Sequence, residues 1–346
     1  MYDFCQSQGI ILLQENSCCI ISAEGSILPS NRRRRGVKVV VRLERFVRSS
    51  RAFWRELVSS SENRKSSFDA SRRRPKLGLA LGGGFARGLC HVGVLKVLEQ
   101  ENIPVEFVAG TSAGAVIGAA YCSGVSPAEL AELAQGMRFK DFARWTFSRY
   151  GFCNNDRMVR LCARILRSGT FADLKIPLAV TATDFRTGEA VVFTEGPLAD
   201  PIRASCAYPG MFQPVEFGGR SYIDGMLAYV VPTTPVRQMG ADVVLASYLS
   251  SHWAAQRTPR HVFEVIGQCF SIAQSKLYEL WKHDADLIVE PDVSGFAYDS
   301  FERAQELIER GESAMRAMLP RLKSLLNVPQ QETARVVAPL TVGETA

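Results

Sequence analysis

Apolar runs alternate with helical patterns along the chain from Lys76 onward. Leu77–Leu81 and Val105–Ala109 predict buried strands, and each leads through a glycine-containing turn into a helical pattern, the first of which ends near Glu101. Further runs predict strands at Pro177–Thr183, Ala190–Thr194, Val243–Ser247 and Leu287–Val289. The last helical pattern covers residues 299–326. This alternation predicts an α/β fold with a mainly parallel central sheet and helices on both faces.

The first 75 residues follow a different pattern. Residues 1–36 lack a clear period, and we expect them to be poorly ordered. Between Leu43 and Val58 apolar residues recur at intervals of three and four with arginines opposite, which predicts an amphipathic helix near residues 40–58. We therefore divide the chain into a partly disordered extension (1–75), a folded domain (76–326) and a C-terminal tail (327–346).

The positive charge lies in the extension. The net charge is +6, but residues 1–75 hold 15 Lys/Arg against 7 Asp/Glu, whereas residues 76–346 hold 26 against 28. A basic surface attracts anionic membranes or nucleic acid, and an amphipathic stripe favours the membrane. We expect no nucleic acid partner. Two interpretations of the helix stay open: it lies in a membrane interface, or it packs on the body with its arginines in water.

Composition indicates a soluble globular protein. Hydrophobic residues make up 47% of the 346 positions, yet no apolar run approaches the length of a spanning helix, about 18 residues. No secretory signal is recognisable, so we expect a cytoplasmic protein with peripheral membrane contact as an option. The nine cysteines form no C-x-x-C pair, which favours buried thiols over disulfides or a metal site.

The sharpest chemical motif is Gly110-Thr111-Ser112-Ala113-Gly114, a G-x-S-x-G pattern between a predicted strand and a helix. In that context the serine occupies a strained turn with its hydroxyl exposed at the sheet edge. The flanking glycines, Gly110 and Gly114, are expected because side chains there would collide with neighbouring backbone. This motif predicts a nucleophilic serine.

A second motif, residues 82–88, contains three consecutive glycines and also links a strand to a helix. Such a loop can direct several backbone N–H groups at one anion, either a nucleotide phosphate or a developing oxyanion. A strict G-x-G-x-x-G is not met, and no G-K-[ST] follows. An oxyanion hole next to a nucleophile elbow fits better.

The base is less clear from the residues alone. Asp224 leaves a short apolar segment before Gly225, and Asp184 is a rival carboxylate at the end of a predicted strand. A Ser-Asp-His triad would need a histidine after Asp224, and three qualify by order: His252, His261 and His283. None stands in a recognisable motif, and His91 is expected to pack within the helix after the glycine loop.

Several segments in the same order resemble the bacterial branch of the patatin-like phospholipases. They are Leu81–Gly93, Ala109–Gly124, Ile176–Glu189, Ile202–Val215, Ile223–Gly225 and Met239–Leu245. The resemblance implies an α/β-hydrolase-related three-layer fold and a Ser-Asp dyad in which Ser112 is the nucleophile and Asp224 the base. It also implies an oxyanion hole at Gly83, Gly84, Arg87 and Gly88, and no metal or cofactor. In this hole backbone N–H groups around Gly83 and Gly84 are the donors, and Arg87 borders the loop.

Two positions depart from the family pattern. Phe85 stands where a small residue is usual and is expected to crowd the oxyanion loop. Met226 stands where Gly or Ala is common and is expected to reshape the acyl pocket. Neither change removes a reactive group.

The function implied is hydrolysis of a lipid ester, with phospholipid or lysophospholipid as the leading substrate. The alternatives are a soluble esterase for small acyl esters and a membrane-binding regulatory protein with little turnover. Residues 137–153 interleave aromatic and basic side chains, which predicts a lid or a lipid-headgroup contact, or else a helix-and-loop cap packed on the core. The aromatic positions are Phe139, Phe142, Trp145, Phe147, Tyr150 and Phe152.

Overall fold

The computed structural model describes residues 19–21, 27–29, 74–250 and 262–327. The chain divides into two compact units, residues 1–72 and 73–346. In the first unit, β1 (Cys19–Ile21) pairs antiparallel with β2 (Ile27–Pro29), a ladder that the sequence pattern does not predict. The amphipathic helix expected near residues 40–58 lies outside the described residues, as do positions 328–346 of the tail.

The second unit contains the remaining described strands and helices. The strands are β3 (Leu77–Leu81), β4 (Phe107–Thr111), β5 (Arg144–Ser148), β6 (Gly151–Asn154), β7 (Leu178–Asp184), β8 (Ala190–Phe193), β9 (Val215–Phe217), β10 (Arg220–Asp224), β11 (Val243–Ser247) and β12 (Leu287–Val289). The helices are α1 (Cys90–Gln100), α2 (Ala113–Cys122), α3 (Pro127–Gln135), α4 (Arg157–Ile165), α5 (Ala199–Ser205), α6 (Thr233–Gln238), α7 (Val262–Trp281) and α8 (Ala304–Asn327). No helix in the described ranges is long and apolar enough to cross a bilayer.

Eight strands form the central sheet. Five of them are parallel in the order β12-β11-β3-β4-β7, and β8, β9 and β10 extend the sheet with antiparallel pairs. The predicted strands at Leu77–Leu81, Val243–Ser247 and Leu287–Val289 have the observed bounds. The strand predicted at Val105–Ala109 begins two residues later, because pairing with β3 starts at Phe107.

Each face of the sheet carries its own core. Leu79, Leu81 and Leu245 pack on one side with apolar residues of α1, α2, α3 and α8. Ala80 and Val244, their neighbours in sequence, pack on the other side with α6 and α7. Alternation arises because successive strand side chains point to opposite faces. The predicted α/β fold, a mainly parallel sheet with helices on both faces, is confirmed.

One edge of β7 brings two distant strand ends together. β4 runs parallel to β7 and ends with Thr111 opposite Thr181, whereas β10 runs antiparallel and ends with Asp224 opposite Ala182. Because β8 pairs with those same β7 residues on the other edge, β4 and β10 share one edge and meet head to head. Neighbouring strand residues are about 3.3 Å apart, so Asp224 arrives beside the residue that follows Thr111.

The aromatic and basic segment forms a hairpin. After a short 3-10 turn at Phe139–Asp141, β5 pairs antiparallel with β6. The segment is a hairpin and not the helix and loop of one interpretation, although Phe139 and Phe142 do pack on the core as that interpretation expects. Gly151 and Cys153 are buried and Phe152 between them is exposed, which is the alternation of a strand. Cys153 N–H also donates to the carbonyl of Met211, which ties the hairpin to the segment before β9.

Candidate active site

Ser112 occupies the turn between β4 and α2. Its φ of 54° and ψ of −120° fall in a region that L-residues rarely adopt. A Cβ at Gly110 would overlap the carbonyl oxygen of Gly114, and one at Gly114 would overlap that of Leu81. Glycine at both positions lets the backbone pass closely enough to form this strained turn, which costs about 1–3 kcal/mol elsewhere in proteins.

The Ser112 hydroxyl donates a 2.9 Å hydrogen bond to Asp224 Oδ2. Ser112 is 4% exposed and Asp224 is fully buried. The other carboxylate oxygen of Asp224 accepts from the Met226 N–H at 3.0 Å, and Ser112 N–H donates to Ser205 Oγ at 2.8 Å. These bonds fix both side chains, and the carboxylate has one oxygen committed to the serine.

Burial raises the pKa of Asp224 to about 7, against the opposing effect of the hydrogen bonds from Met226 N–H and the Ser112 hydroxyl. A base works best when its pKa lies near the working pH. Partial burial also raises the pKa of Asp184, but the N–H groups of Thr187 and Arg186 outweigh it and hold that pKa below its ordinary value. Asp184 thus caps a turn, while Asp224 has the proton affinity of a base.

The glycine loop lies directly against the serine. A Cβ built on Gly83 would lie 3.3 Å from Ser112 Cβ. Gly82 N–H donates to Ser247 O, and Ala86 N–H donates to Tyr298 O. Between them, the N–H groups of Gly83 and Gly84 bond to no other residue within the part of the chain described here. Two backbone donors are thereby left for an oxygen bound beside Ser112.

His91 is buried behind this loop, and its role is one that the sequence pattern does not reveal. Its Nε2 lies 2.8 Å from Gly82 O and its Nδ1 lies 2.9 Å from Ser247 Oγ. Because a carbonyl only accepts, Nε2 carries the proton and the Ser247 hydroxyl donates to Nδ1. Burial lowers the pKa of His91 to about 4, so the ring is neutral at physiological pH. In a trans peptide the C=O and the following N–H point in opposite directions. The bond from His91 to Gly82 O therefore directs the Gly83 N–H away from His91.

Arg87 and Gly88 occupy the start of the helical segment behind the loop. The Arg87 side chain is buried, and its guanidinium carbon lies 3.7 Å from the centre of the Tyr298 ring. A Cβ on Gly88 would collide with the Cβ of Ala113. These contacts hold the loop against α2 and the Tyr298 segment. Of the four predicted oxyanion residues, Gly83 and Gly84 remain the predicted donors, because their N–H groups have no partner among the described residues.

The remaining candidates have other surroundings. His283 is exposed in a 3-10 turn at Lys282–Asp284, while His252 and His261 lie outside the described residues. Cys206 is a rival nucleophile near the dyad, but burial raises the pKa of its thiol well above the ordinary value, which disfavours the thiolate.

Among the described residues, no cluster of three or more His, Cys, Asp or Glu could hold a metal. Five of the described cysteines are buried free thiols, as predicted: Cys90, Cys122, Cys153, Cys162 and Cys206.

An apolar cavity opens at Ser112, and its space together with the open solvent at its mouth is about 810 Å³. Val116, Ile117 and Ala120 line it along α2, whereas Leu130 and Leu161 represent the walls formed by α3 and α4. On an α-helix, the eight residues from Ser112 to Ala120 span about 12 Å. The cavity is therefore deep enough for an extended apolar chain and offers few polar partners.

The two departures from the family pattern have roles that differ from the expected ones. Phe85 has φ of 53°, and its ring lines the cavity in contact with Phe142, Tyr208 and Phe212. The residue expected to crowd the loop thus lines the cavity at Ser112. Met226, expected to reshape that pocket, instead lies near Gly83, with Cε 3.6 Å from a Cβ built there.

Part of this sequence, which includes the glycine loop, the serine turn and Asp224, matches known proteins. A family model described as patatin-like phospholipase matches residues 79–237. An uncharacterised NTE family protein of Mycobacterium tuberculosis is 33% identical over 179 residues, which are 51% of this chain and 49% of that protein. Lysophospholipase NTE1 of Yarrowia lipolytica is 27% identical over 199 residues, which are 55% of this chain and 14% of that protein. The chain thus spans about half the length of the mycobacterial relative.

Among solved structures, VipD from Legionella pneumophila superimposes with a TM-score of 0.49 and 12% identity, covering 72% of this chain and 67% of that one. The family match spans β3 through α6 and includes the glycine loop, the serine turn and Asp224. Residues 79–237 of this chain form a patatin-like phospholipase domain.

Proposed function

We propose that this protein hydrolyses lipid carboxylic esters through an acyl-enzyme formed on Ser112. The observation that carries the proposal is the buried 2.9 Å bond from the Ser112 hydroxyl to Asp224, a carboxylate whose pKa burial raises to about 7. The apolar cavity at Ser112 supplies a place for the acyl chain.

In the first half-reaction, Ser112 Oγ attacks the ester carbonyl carbon while its proton passes to Asp224 Oδ2. The carbonyl oxygen becomes an oxyanion, which the N–H groups of Gly83 and Gly84 stabilise by about 3–4 kcal/mol for each donor. Collapse of the intermediate breaks the ester C–O bond, and the proton on Asp224 goes to the leaving alcohol. A water molecule, deprotonated by Asp224, then attacks the acyl-serine, and Ser112 regains its proton as the fatty acid leaves.

The substrate class follows from the cavity. Its lining is apolar apart from Ser112 and the thiol of Cys206, and α2 lines it from Ala113 to Ala120. A single long acyl chain fits such a space, which favours phospholipid or lysophospholipid over small acyl esters. The name of the Yarrowia relative, a lysophospholipase, agrees with this proposal.

The proposal includes a cytoplasmic protein with peripheral membrane contact. The basic extension was predicted to provide that contact, and it stays a prediction because most of residues 1–75 lie outside the described ranges. Its test is co-sedimentation of full-length protein with anionic vesicles against a variant that begins at Pro75.

The dyad is tested with lysophosphatidylcholine and a monomeric short-chain ester as substrates. Ser112→Ala and Asp224→Asn are expected to abolish hydrolysis of both, because each removes a group that bonds to the reacting atoms. Asp184→Asn is the matched control, since it removes a carboxylate at the end of β7 that takes no part in the dyad. Full activity of Asp224→Asn, or loss in Asp184→Asn alone, would overturn the assignment of the base.

A further inference from the structure

Charge is unevenly spread over the folded domain. Residues 138–167 hold eight Lys/Arg and two Asp/Glu, whereas the other residues from position 76 onward hold 18 and 26. This segment is therefore strongly basic within an otherwise acidic body. It includes the β5–β6 hairpin and α4, and α4 lines the cavity at Ser112 through Met158, Leu161 and Ile165.

The hairpin region carries three exposed cations that have no carboxylate partner among the described residues. Lys140, Arg144 and Arg149 are exposed, and none forms a salt bridge with a carboxylate in the described ranges. Elsewhere Lys96 pairs with Glu312, Arg303 with Glu306 and Lys323 with Glu101. Exposed cations without carboxylate partners complement an anionic surface.

Large aromatic side chains lie among these cations. Trp145 is 66% exposed and Tyr150 is 57% exposed, and the Arg149 guanidinium lies 4.7 Å from the Tyr150 ring centre. Trp and Tyr beside Arg and Lys are typical of side chains that enter a membrane interface. Large rings that are exposed to water contribute no favourable burial energy unless another surface covers them.

A series of ring contacts connects this surface to the cavity. Trp145 lies 5.9 Å from Phe139, and Phe139 lies 5.3 Å from Phe142, measured between ring centroids. Phe142 is 7% exposed and lines the cavity together with Ser112. The exposed aromatic and basic surface and the acyl-binding space are thus two sides of one layer of side chains.

We propose that Lys140, Arg144, Trp145, Arg149 and Tyr150, here called the docking surface, bind an anionic phospholipid bilayer. The cations contact lipid phosphates and the rings enter the headgroup region, so that an acyl chain passes from the bilayer to the cavity with little exposure to water. Water exposure of a methylene is unfavourable, and direct transfer avoids it. The delivery step rests on the proposed function, whereas membrane binding by the docking surface does not.

The electrostatic part is tested in the full chain with Arg144→Gln combined with Arg149→Gln. Both side chains are exposed, so the fold should be unaffected. Partitioning onto phosphatidylcholine vesicles that contain phosphatidylglycerol is expected to fall about thirtyfold, because each cation near an anionic leaflet contributes roughly 1 kcal/mol. The matched control is Arg316→Gln with Arg321→Gln, two exposed arginines of α8, which should bind like the parent. Equal binding by both pairs would overturn the proposal.

The aromatic part is tested with Trp145→Ala combined with Tyr150→Ala, against Leu280→Ala as an exposed apolar control on α7. The double variant is expected to bind vesicles at least about tenfold more weakly, since burial of a large apolar side chain is a strong contribution. Its kcat on a monomeric short-chain ester should stay within twofold of the parent, while hydrolysis of vesicle lipid falls with binding. Unchanged vesicle binding would contradict docking, and loss on the monomeric ester would contradict a role limited to the membrane. Inactivity of the parent on every ester would refute the proposed function and leave the binding result standing.

Discussion

The candidate site has two walls that are built in different ways. The strand-end wall consists of Gly82–Gly84, Ser112 and Asp224, and hydrogen bonds hold each of its reactive side chains. The cap wall consists of the cavity-lining residues between Met137 and Ile165, which pack through apolar and ring contacts. Directional bonds fix atoms within tenths of an ångström, whereas apolar packing tolerates changes of shape. Chemistry should therefore depend on the first wall and substrate choice on the second.

The two walls also differ in their origin along the chain. The strand-end wall combines the ends of β3, β4 and β10, which the register of the sheet places side by side. The cap wall comes from one continuous segment that includes a hairpin and α4. Substitutions in the cap wall can thus change one segment without disturbing the sheet.

The largest expected effect concerns the dyad. Ser112→Ala and Asp224→Ala should each lower kcat by about 10⁴-fold or more, and the double variant should be no worse than the single ones, because two groups that act as one unit are not additive. The measurement is steady-state hydrolysis of a lysophospholipid with a thermal unfolding control. Additive losses would indicate that the two side chains act independently.

The next effect is the pH dependence of the strand-end wall. Burial raises the pKa of Asp224 to about 7, and only the ionised carboxylate can accept the Ser112 proton. As pH falls below about 7, kcat/KM on a monomeric ester should therefore fall roughly tenfold per pH unit. Val159→Phe, a change at an exposed position of α4, should show the same profile. An acid limb near pH 4, the ordinary range of an aspartate, would mean that Asp224 is not the base.

A smaller effect is expected at His91, which positions the glycine loop without touching the substrate. His91→Leu removes the donor to Gly82 O and should lower kcat about tenfold with little change in KM, because the Gly83 N–H loses its fixed direction. His91→Gln keeps a donor and should recover part of the loss. If both variants lose activity only in proportion to their loss of folded protein, the contact is merely structural.

The smallest effect is expected from a change that narrows the cavity at Ser112. Val116 is on α2 about 6 Å from Ser112, so Val116→Phe should shorten the space for an acyl chain. Hydrolysis of long-chain esters should fall about tenfold relative to short-chain esters, with kcat on the short ones retained. Val159→Phe, an exposed position on α4, is the matched control. A parallel loss on both chain lengths would show that the cavity does not select chain length.

Local signals predicted much of this site. The glycine loop and the G-x-S-x-G turn depend on residues that adjoin in sequence, and the strands β3, β11 and β12 were predicted with their observed bounds. The role of Asp224 as the base came only from the family resemblance. Its place beside Ser112 depends on the pairing of β10 with β7, between residues about 40 positions apart, which no local pattern predicts. The bond from His91 to Gly82 was missed because an apolar helix pattern reveals burial and not the partner of a buried ring. The hairpin was missed because β5 and β6 are short, and their alternation is interrupted by a bulge.

Mapping the serine that a fluorophosphonate labels in the full-length protein at neutral pH tests the central claim most directly. The account predicts a single adduct on Ser112, formed far more slowly in Asp224→Asn, because the base that activates the hydroxyl is then missing. Ser205 is the nearest rival, since its hydroxyl bonds to the Ser112 N–H. An adduct on Ser205 or on another serine, or labelling of Ser112 at an unchanged rate in Asp224→Asn, would contradict the dyad.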